Sequence, residues 1–171
     1  MTNEANGPLH LLLDLLEKKH HISYSELITL LQKRQEEQLK GRVPARLFAD
    51  RKLGVLEILV RYLKDHRQMS FKEIGKIIQR DNRTIWASYH NACQKRQKMQ
   101  LPKKPQIYIP LVSFADRRLG PAENVIYHLH AKEQIPFSRI AELLRRDPRT
   151  VWTAFAHAKK KMNSREDADA A

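Results

Sequence analysis

The chain has 171 residues, 42% hydrophobic and 30% charged, with a formal net charge of +13 and one cysteine. No apolar run approaches the roughly 20 residues that span a bilayer, since residues 9–16 are short and hold His10 and Asp14, so no membrane partner is expected. The lone Cys93 rules out an internal disulfide, and the acidic start Met1-Thr2-Asn3-Glu4 resembles neither a secretory nor a transit signal, so the expected compartment is the cytoplasm.

Residues 1–7 lack periodicity and are expected to be disordered. Leu9, Leu12, Leu13 and Leu16 then recur at helical spacing. After His20 and His21 a second helix is expected, capped by Ser23 with Glu26 three residues on, and burying Leu27, Leu30 and Leu31. The two histidines lack a third ligand, so no metal is expected.

From residue 43 the chain duplicates itself: residues 43–95 align with 109–161 at a constant offset of 66, without a gap. Arg80, Asp81, Asn82, Arg83, Thr84, Ile85 and Trp86 return as Arg146, Asp147, Pro148, Arg149, Thr150, Val151 and Trp152. Two copies are too few for a solenoid, so each is expected to be a small domain folding largely alone, without a sheet, and, being near the lower size limit, packed against the other copy or the amino-terminal segment. In the first copy a short helix anchored by Leu47 and Phe48 precedes one that begins after Gly54 and buries Leu56, Leu59, Val60 and Leu63. Ser70 and Glu73 form a capping box for a helix carrying Ile74, Ile77 and Ile78. A tight turn leads to Asp81, the cap of a last helix with Ile85, Ser88 and Ala92 facing inward. The second copy follows suit, with Pro121 and Pro148 at first helical positions and Val151, Ala154 and Ala158 inward. A turn-linked helix pair whose second member opens with polar residues is the pattern of a helix-turn-helix.

The expected fold is therefore all-α: two tandem helix-turn-helix domains, residues 43–95 and 109–161, preceded by a helical pair within 1–42, joined by a basic linker, 96–108, and followed by a disordered tail, 162–171. The amino-terminal pair matches the middle helices of each copy but continues into Gln35-Glu36-Glu37-Gln38. It is read as a degenerate copy used for packing or for homodimerisation through residues 9–40. Charge is unevenly spread: residues 1–42 are net neutral, 43–108 carry +10, 109–161 carry +5 and the tail −2. Positive charge on the duplicated part points to a polyanion.

The run Ser70-Phe71-Lys72-Glu73-Ile74-Gly75-Lys76, continuing through Ile85 to Lys95, resembles the carboxy-terminal, region 4, helix-turn-helix of bacterial sigma factors, and Leu119-Gly120-Pro121 resembles the opening of that domain. The resemblance implies double-stranded DNA as partner and transcriptional regulation as role, in a nucleoid-associated protein. It places base contacts at Asn82, Arg83 and Trp86 in one copy and at Pro148, Arg149 and Trp152 in the other, where the family usually has arginine in place of the tryptophans. Independently of the family, arginine can bond both acceptors of guanine and asparagine those of adenine, so Arg83, Arg149 and Asn82 are candidate base readers. Thr84 and Thr150 can reach phosphate or stay on their own helix, while Arg80, Arg146, Lys159 and Lys160 would supply sequence-independent attraction. Trp86 and Trp152 share stripes with Tyr89 and Phe155, and packing is the expected use of such stripes. No catalytic constellation and no cofactor motif is evident. The competing expectation is a protein-interaction adaptor binding RNA polymerase or another regulatory protein; a DNA-targeting subunit of a nuclease or mobile element would use the same residues. The thirteen-residue linker would let two independent domains read half-sites in one orientation, about 10 base pairs apart.

Overall fold

The computed structural model describes residues 11, 15, 19, 23–39, 41–102 and 107–169. They belong to two units, residues 1–40 and 41–171. The first contains helix α1, Tyr24–Leu39. Its capping box is present: Ser23 N–H donates to the Glu26 carboxylate at 2.8 Å and Glu26 N–H to Ser23 Oγ at 3.3 Å. Leu27 is half-buried, but Leu30 and Leu31, expected inward, are exposed. Residues 1–7, His20, His21, Leu9, Leu12, Leu13 and Leu16 lie outside the described residues, and the side chains at 35–38 are likewise not described.

The second unit runs through β1 (Arg42–Pro44), a 3-10 helix (Ala45–Ala49), α2 (Val55–Asp65), α3 (Phe71–Ile77) and α4 (Asn82–Lys95). The same order then repeats as β2 (Tyr108–Pro110), a 3-10 helix (Leu111–Ala115), α5 (Pro121–Tyr127, ending in a π turn), α6 (Phe137–Leu144) and α7 (Pro148–Asp169). Helix starts follow the local chemistry. Gly54 and Gly120 donate their N–H to Glu57 and Glu123 at 2.8 and 2.7 Å, while Ser70 and Glu73 exchange the two bonds of a capping box at 2.7 and 3.2 Å. Asp81 accepts from Thr84 N–H at 2.8 Å. The turns match as well: Gln79 and Arg145 sit in the left-handed region at φ 50°. The next amide, Arg80 or Arg146, donates to Gly75 or Ala141 at 2.9 Å in both copies. A methyl on Gly75 would come within 2.7 Å of the Arg80 carbonyl oxygen, so the first turn is the tighter.

The copies are not independent. Val43 and Ile109, both fully buried, pair with each other in an antiparallel two-stranded sheet, flanked by the pairs Arg42–Pro110 and Pro44–Tyr108. Since Ile109 is the duplicate of Val43, this pairing sets the copies about a pseudo-two-fold axis. Two further observations obey the same axis. Ala45 N–H donates to the Ile107 carbonyl at 2.9 Å and its duplicate Leu111 N–H to the Gly41 carbonyl at 2.8 Å, and the Phe48 and Phe114 rings meet 5.7 Å apart. Each 3-10 helix packs on the other copy, Ala45–Ala49 on α6 and Leu111–Ala115 on α3. One core cluster holds Ile58, Leu63, Ile74 and Ile85 together with Val125, Leu129, Ile140 and Val151. The expectation of a purely helical fold without a sheet is corrected here, while packing between the copies, expected from their small size, is present. Pro44 and Pro110 are extended and stand immediately before the 3-10 helices, and the three-residue segments they end satisfy backbone groups against one another. Burial of Val43 and Ile109 adds about 1.5–3 kcal/mol per side chain.

The copies differ where their last helices end. Arg61, 5% exposed, donates to the carbonyls of Ala92, Arg96 and Gln97, closing α4 at Lys95. Its duplicate is Tyr127, which lies stacked 6.0 Å from Phe155 and is no guanidinium donor. Without glycine or proline among residues 162–169, α7 runs on to Asp169 where a disordered tail was expected.

Candidate nucleic-acid interface

Helices α4 and α7 are attached to the core by their expected inner faces. Ile85, Ala92, Val151 and Ala158 are fully buried, Ser88 is buried and Ala154 half-buried. A duplicated ion pair fastens their far ends, Lys95 to Glu57 at 2.6 Å and Lys161 to Glu123 at 2.8 Å. Lys161 is therefore tied to the core, and all three lysines of the run, Lys159, Lys160 and Lys161, are exposed. The opposite faces of the two helices point to solvent.

On α4 the outward stripe is Asn82, Arg83 and Trp86, all exposed; on α7 it is Pro148, Arg149, Trp152 and, two turns on, Lys159. Among the described residues neither Arg83 nor Arg149 forms an ion pair. The tryptophans, read both as packing and as base-contacting positions, are exposed, Trp86 51% and Trp152 59%. The packing position is instead the aromatic three residues later. Tyr89 lies 5.4 Å from Phe71 and donates its hydroxyl to Asp65 at 2.9 Å, a bond that pushes the phenol up to about 12. Phe155 packs against Phe137 and His130, with ring centroids 5.2 and 4.6 Å apart. Trp86 stacks on His90 at 3.8 Å, which orients the indole without burying it.

Of the remaining expected contacts, Thr84 gives its hydroxyl to the Asp81 carboxylate at 2.6 Å and so serves its own helix. This bond and that from the Thr84 amide hold Asp81 below the ordinary carboxylate range. Thr150 is exposed, and Asp147 accepts from Arg149 N–H at 2.8 Å. Arg80 and Arg146 are half-buried at the two turns; the Arg80 Nε is buried without a hydrogen-bond partner among the described residues. Lys72 and Lys76, absent from the expected contacts, line a groove with Arg80 and Asn82. Their spacing of four residues on α3 put them on one helical face, a signal open to sequence reading. In the second copy the same positions are Ser138 and Glu142, the latter paired with Arg139 at 2.6 Å. Cys93 is half-buried and free, and no helix among the described residues is long and apolar enough to cross a membrane.

Two exposed stripes of arginine and tryptophan, each opening a helix and held by a buried inner face, form a rigid cationic surface presented twice. Comparison with family models, curated proteins and solved structures returns no match to the chain.

Proposed function

We propose that residues 41–171 bind double-stranded DNA sequence-specifically, with α3–α4 and α6–α7 acting as two helix-turn-helix units, and that the protein regulates transcription. The observation that carries this reading is the pair of exposed arginine and tryptophan positions, Arg83 with Trp86 on α4 and Arg149 with Trp152 on α7. Exposed tryptophans at the same position of both copies contribute little to stability, but they suit contact with base edges or a thymine methyl. Arg83 and Arg149 read guanine, Asn82 reads adenine, and Arg80, Arg146, Lys159 and Lys160 attract phosphate. The resemblance to sigma region 4 supports the same class of ligand. Because the copies are related by a pseudo-two-fold axis, half-sites bound together on one duplex run in opposite orientations, as for a homodimer on a palindrome. This replaces the same-orientation layout expected for two domains on a tether. Pro148 in place of Asn82 makes the half-sites unlike. Residues 9–40 supply self-association, with Ile28, Leu30 and Leu31 exposed on α1.

Selection of the full chain against random duplex DNA tests the reading. The expected product is an imperfect inverted repeat, with Arg83→Ala and Arg149→Ala each relaxing a different half by about 1–3 kcal/mol. Salt-sensitive binding with no preferred sequence would reject it in favour of the adaptor.

A further inference from the structure

The longest stretch the two copies share besides the turn region is Phe48-Ala49-Asp50-Arg51-Lys52-Leu53-Gly54, repeated as Phe114-Ala115-Asp116-Arg117-Arg118-Leu119-Gly120. Most of it has a structural account. Phe48 and Phe114 meet across the pseudo-axis, and Leu53 and Leu119 are buried. Asp50 and Asp116 accept from the amides of Lys52 and Arg118 at 2.9 and 3.0 Å, fixing the loop, and the glycine amides bind Glu57 and Glu123. The carboxylates are further neutralised by different partners, Asp50 by Arg96 at 2.7 Å and Asp116 by Arg118 at 2.5 Å. What remains is Arg51 and Arg117. Both are exposed, and neither forms an ion pair among the described residues.

Their position explains them better than their own copy does. Arg117 and Arg118 line an open groove with Gln79, the turn residue between α3 and α4 of the other copy, and Gln79 also borders the groove of Lys72, Lys76 and Arg80. The mirror arrangement holds on the other side, where Arg51 and Lys52 line a groove with Arg145, the turn residue between α6 and α7. The packing of each 3-10 helix on the opposite α3 or α6 fixes this crossing. Each turn that opens a candidate reading helix is therefore flanked by a fixed loop arginine from the opposite copy.

We propose that Arg51 and Arg117 are crossed phosphate clamps: Arg117 holds the DNA backbone at the half-site read by α4, and Arg51 at the half-site read by α7. The proposal rests on the DNA-binding reading above and adds that neither half-site is complete without the other copy. An arginine carried beside a reading helix on a loop fixed by its aspartate suits a phosphate, which its planar fork can bind with two parallel bonds. The loops' carboxylates, already engaged, do not compete for it. Lys72 and Lys76 face the half served by Arg117, so that half carries the stronger attraction.

The test is a footprint and salt titration of the full chain on its selected DNA, with Arg117→Ala, Arg51→Ala and an exposed-site control, Gln94→Ala, after thermal melts show all three folded like the parent. For each clamp variant the slope of log affinity against log salt should shrink by about 0.9, while the control leaves it unchanged. Protection should weaken in Arg117→Ala over the half whose preference is relaxed by Arg83→Ala, and in Arg51→Ala over the half relaxed by Arg149→Ala. Weakening of each arginine's own-copy half, or an unchanged slope, overturns the crossed clamp while leaving sequence-specific binding intact. A parent protein without a preferred site removes the reading itself and the clamp with it.

Discussion

Replacing Arg61 by methionine keeps an unbranched stem in the core but removes the guanidinium, and the structure sets the size of the loss. Arg61 is 5% exposed, donates to the carbonyls of Ala92, Arg96 and Gln97, and pairs with Asp65 at 3.2 Å. Asp65 keeps the Tyr89 hydroxyl, so its carboxylate is not stranded. The carbonyls at the end of α4 lose their charged donor. A hydrogen bond to a charged group is worth about 1.5–3 kcal/mol, and water can reach the outer carbonyls, so the expected destabilisation is about 3 kcal/mol. Unfolding entropy of about 2.1 cal/mol/K per residue over a unit of this size turns that into a fall in Tm of roughly 10 °C. Thermal and urea melts of the full chain, followed by far-ultraviolet circular dichroism, measure it against Arg46→Met, a change at an exposed position. Amide exchange should accelerate at the carboxy-terminal end of α4 before it does so elsewhere. A fall no larger than that of the control would show that these bonds are exchanged for water at no cost and that α4 ends for another reason.

Acid should destabilise the fold in two steps. Burial raises the pKa values of Glu57 and Glu123, but hydrogen bonds from Lys95 and Gly54, and from Lys161 and Gly120, outweigh it and leave both below the ordinary carboxylate range. Glu73 and Asp81 are lowered by bonds from Ser70 and Thr84. Depressed carboxylates contribute stability above the unfolded-state value, near 4.5 for the glutamates and 3.8 for Asp81, that is lost as pH falls through the folded values. His128 is lowered by burial, so an earlier decline should begin as pH drops below the ordinary 6.5 and disappear in His128→Gln. A urea midpoint constant between pH 7 and 3 would contradict both steps. Separately, sedimentation of the full chain against residues 41–171 should show self-association only in the former; equal masses would remove the dimer role of residues 9–40.

The local structure was legible wherever a side chain bonds within a few residues of itself. Both serine capping boxes, the Asp81 cap, the starts after Gly54 and Gly120 and the inner faces of α4 and α7 follow from spacing alone. The relation between copies was not, because it is carried by backbone bonds of two three-residue strands that leave no periodicity. Pro44 and Pro110 were visible as duplicates, but nothing in the sequence says that a segment pairs with its own repeat. The role of the tryptophans stayed open for a related reason. Period places Trp86 beside Tyr89 on a stripe, and only the packing of Tyr89 into Phe71 and Asp65 shows which aromatic takes the inner position and which is left outside.

Fusion of the two copies in one chain frees each half from the identity a homodimer imposes. A mutation in a homodimer changes both halves of its interface and both of its ligand contacts; here each copy has diverged alone about an axis that is still kept. Where side chains rather than backbone hold the axis, the chemistry is kept: Val43 with Ile109, Phe48 with Phe114. Positions facing solvent beside the turns differ most, Asn82 against Pro148, Lys72 against Ser138, Lys76 against Glu142. Drift across the whole surface would also have altered Arg51, Arg83 and Trp86, yet all three remain identical to Arg117, Arg149 and Trp152 while exposed. An exposed arginine or tryptophan contributes little to folding, so the presence of these three in both copies supports the proposed reading, in which one ligand touches both halves in the same way and the residues around them set how the halves differ.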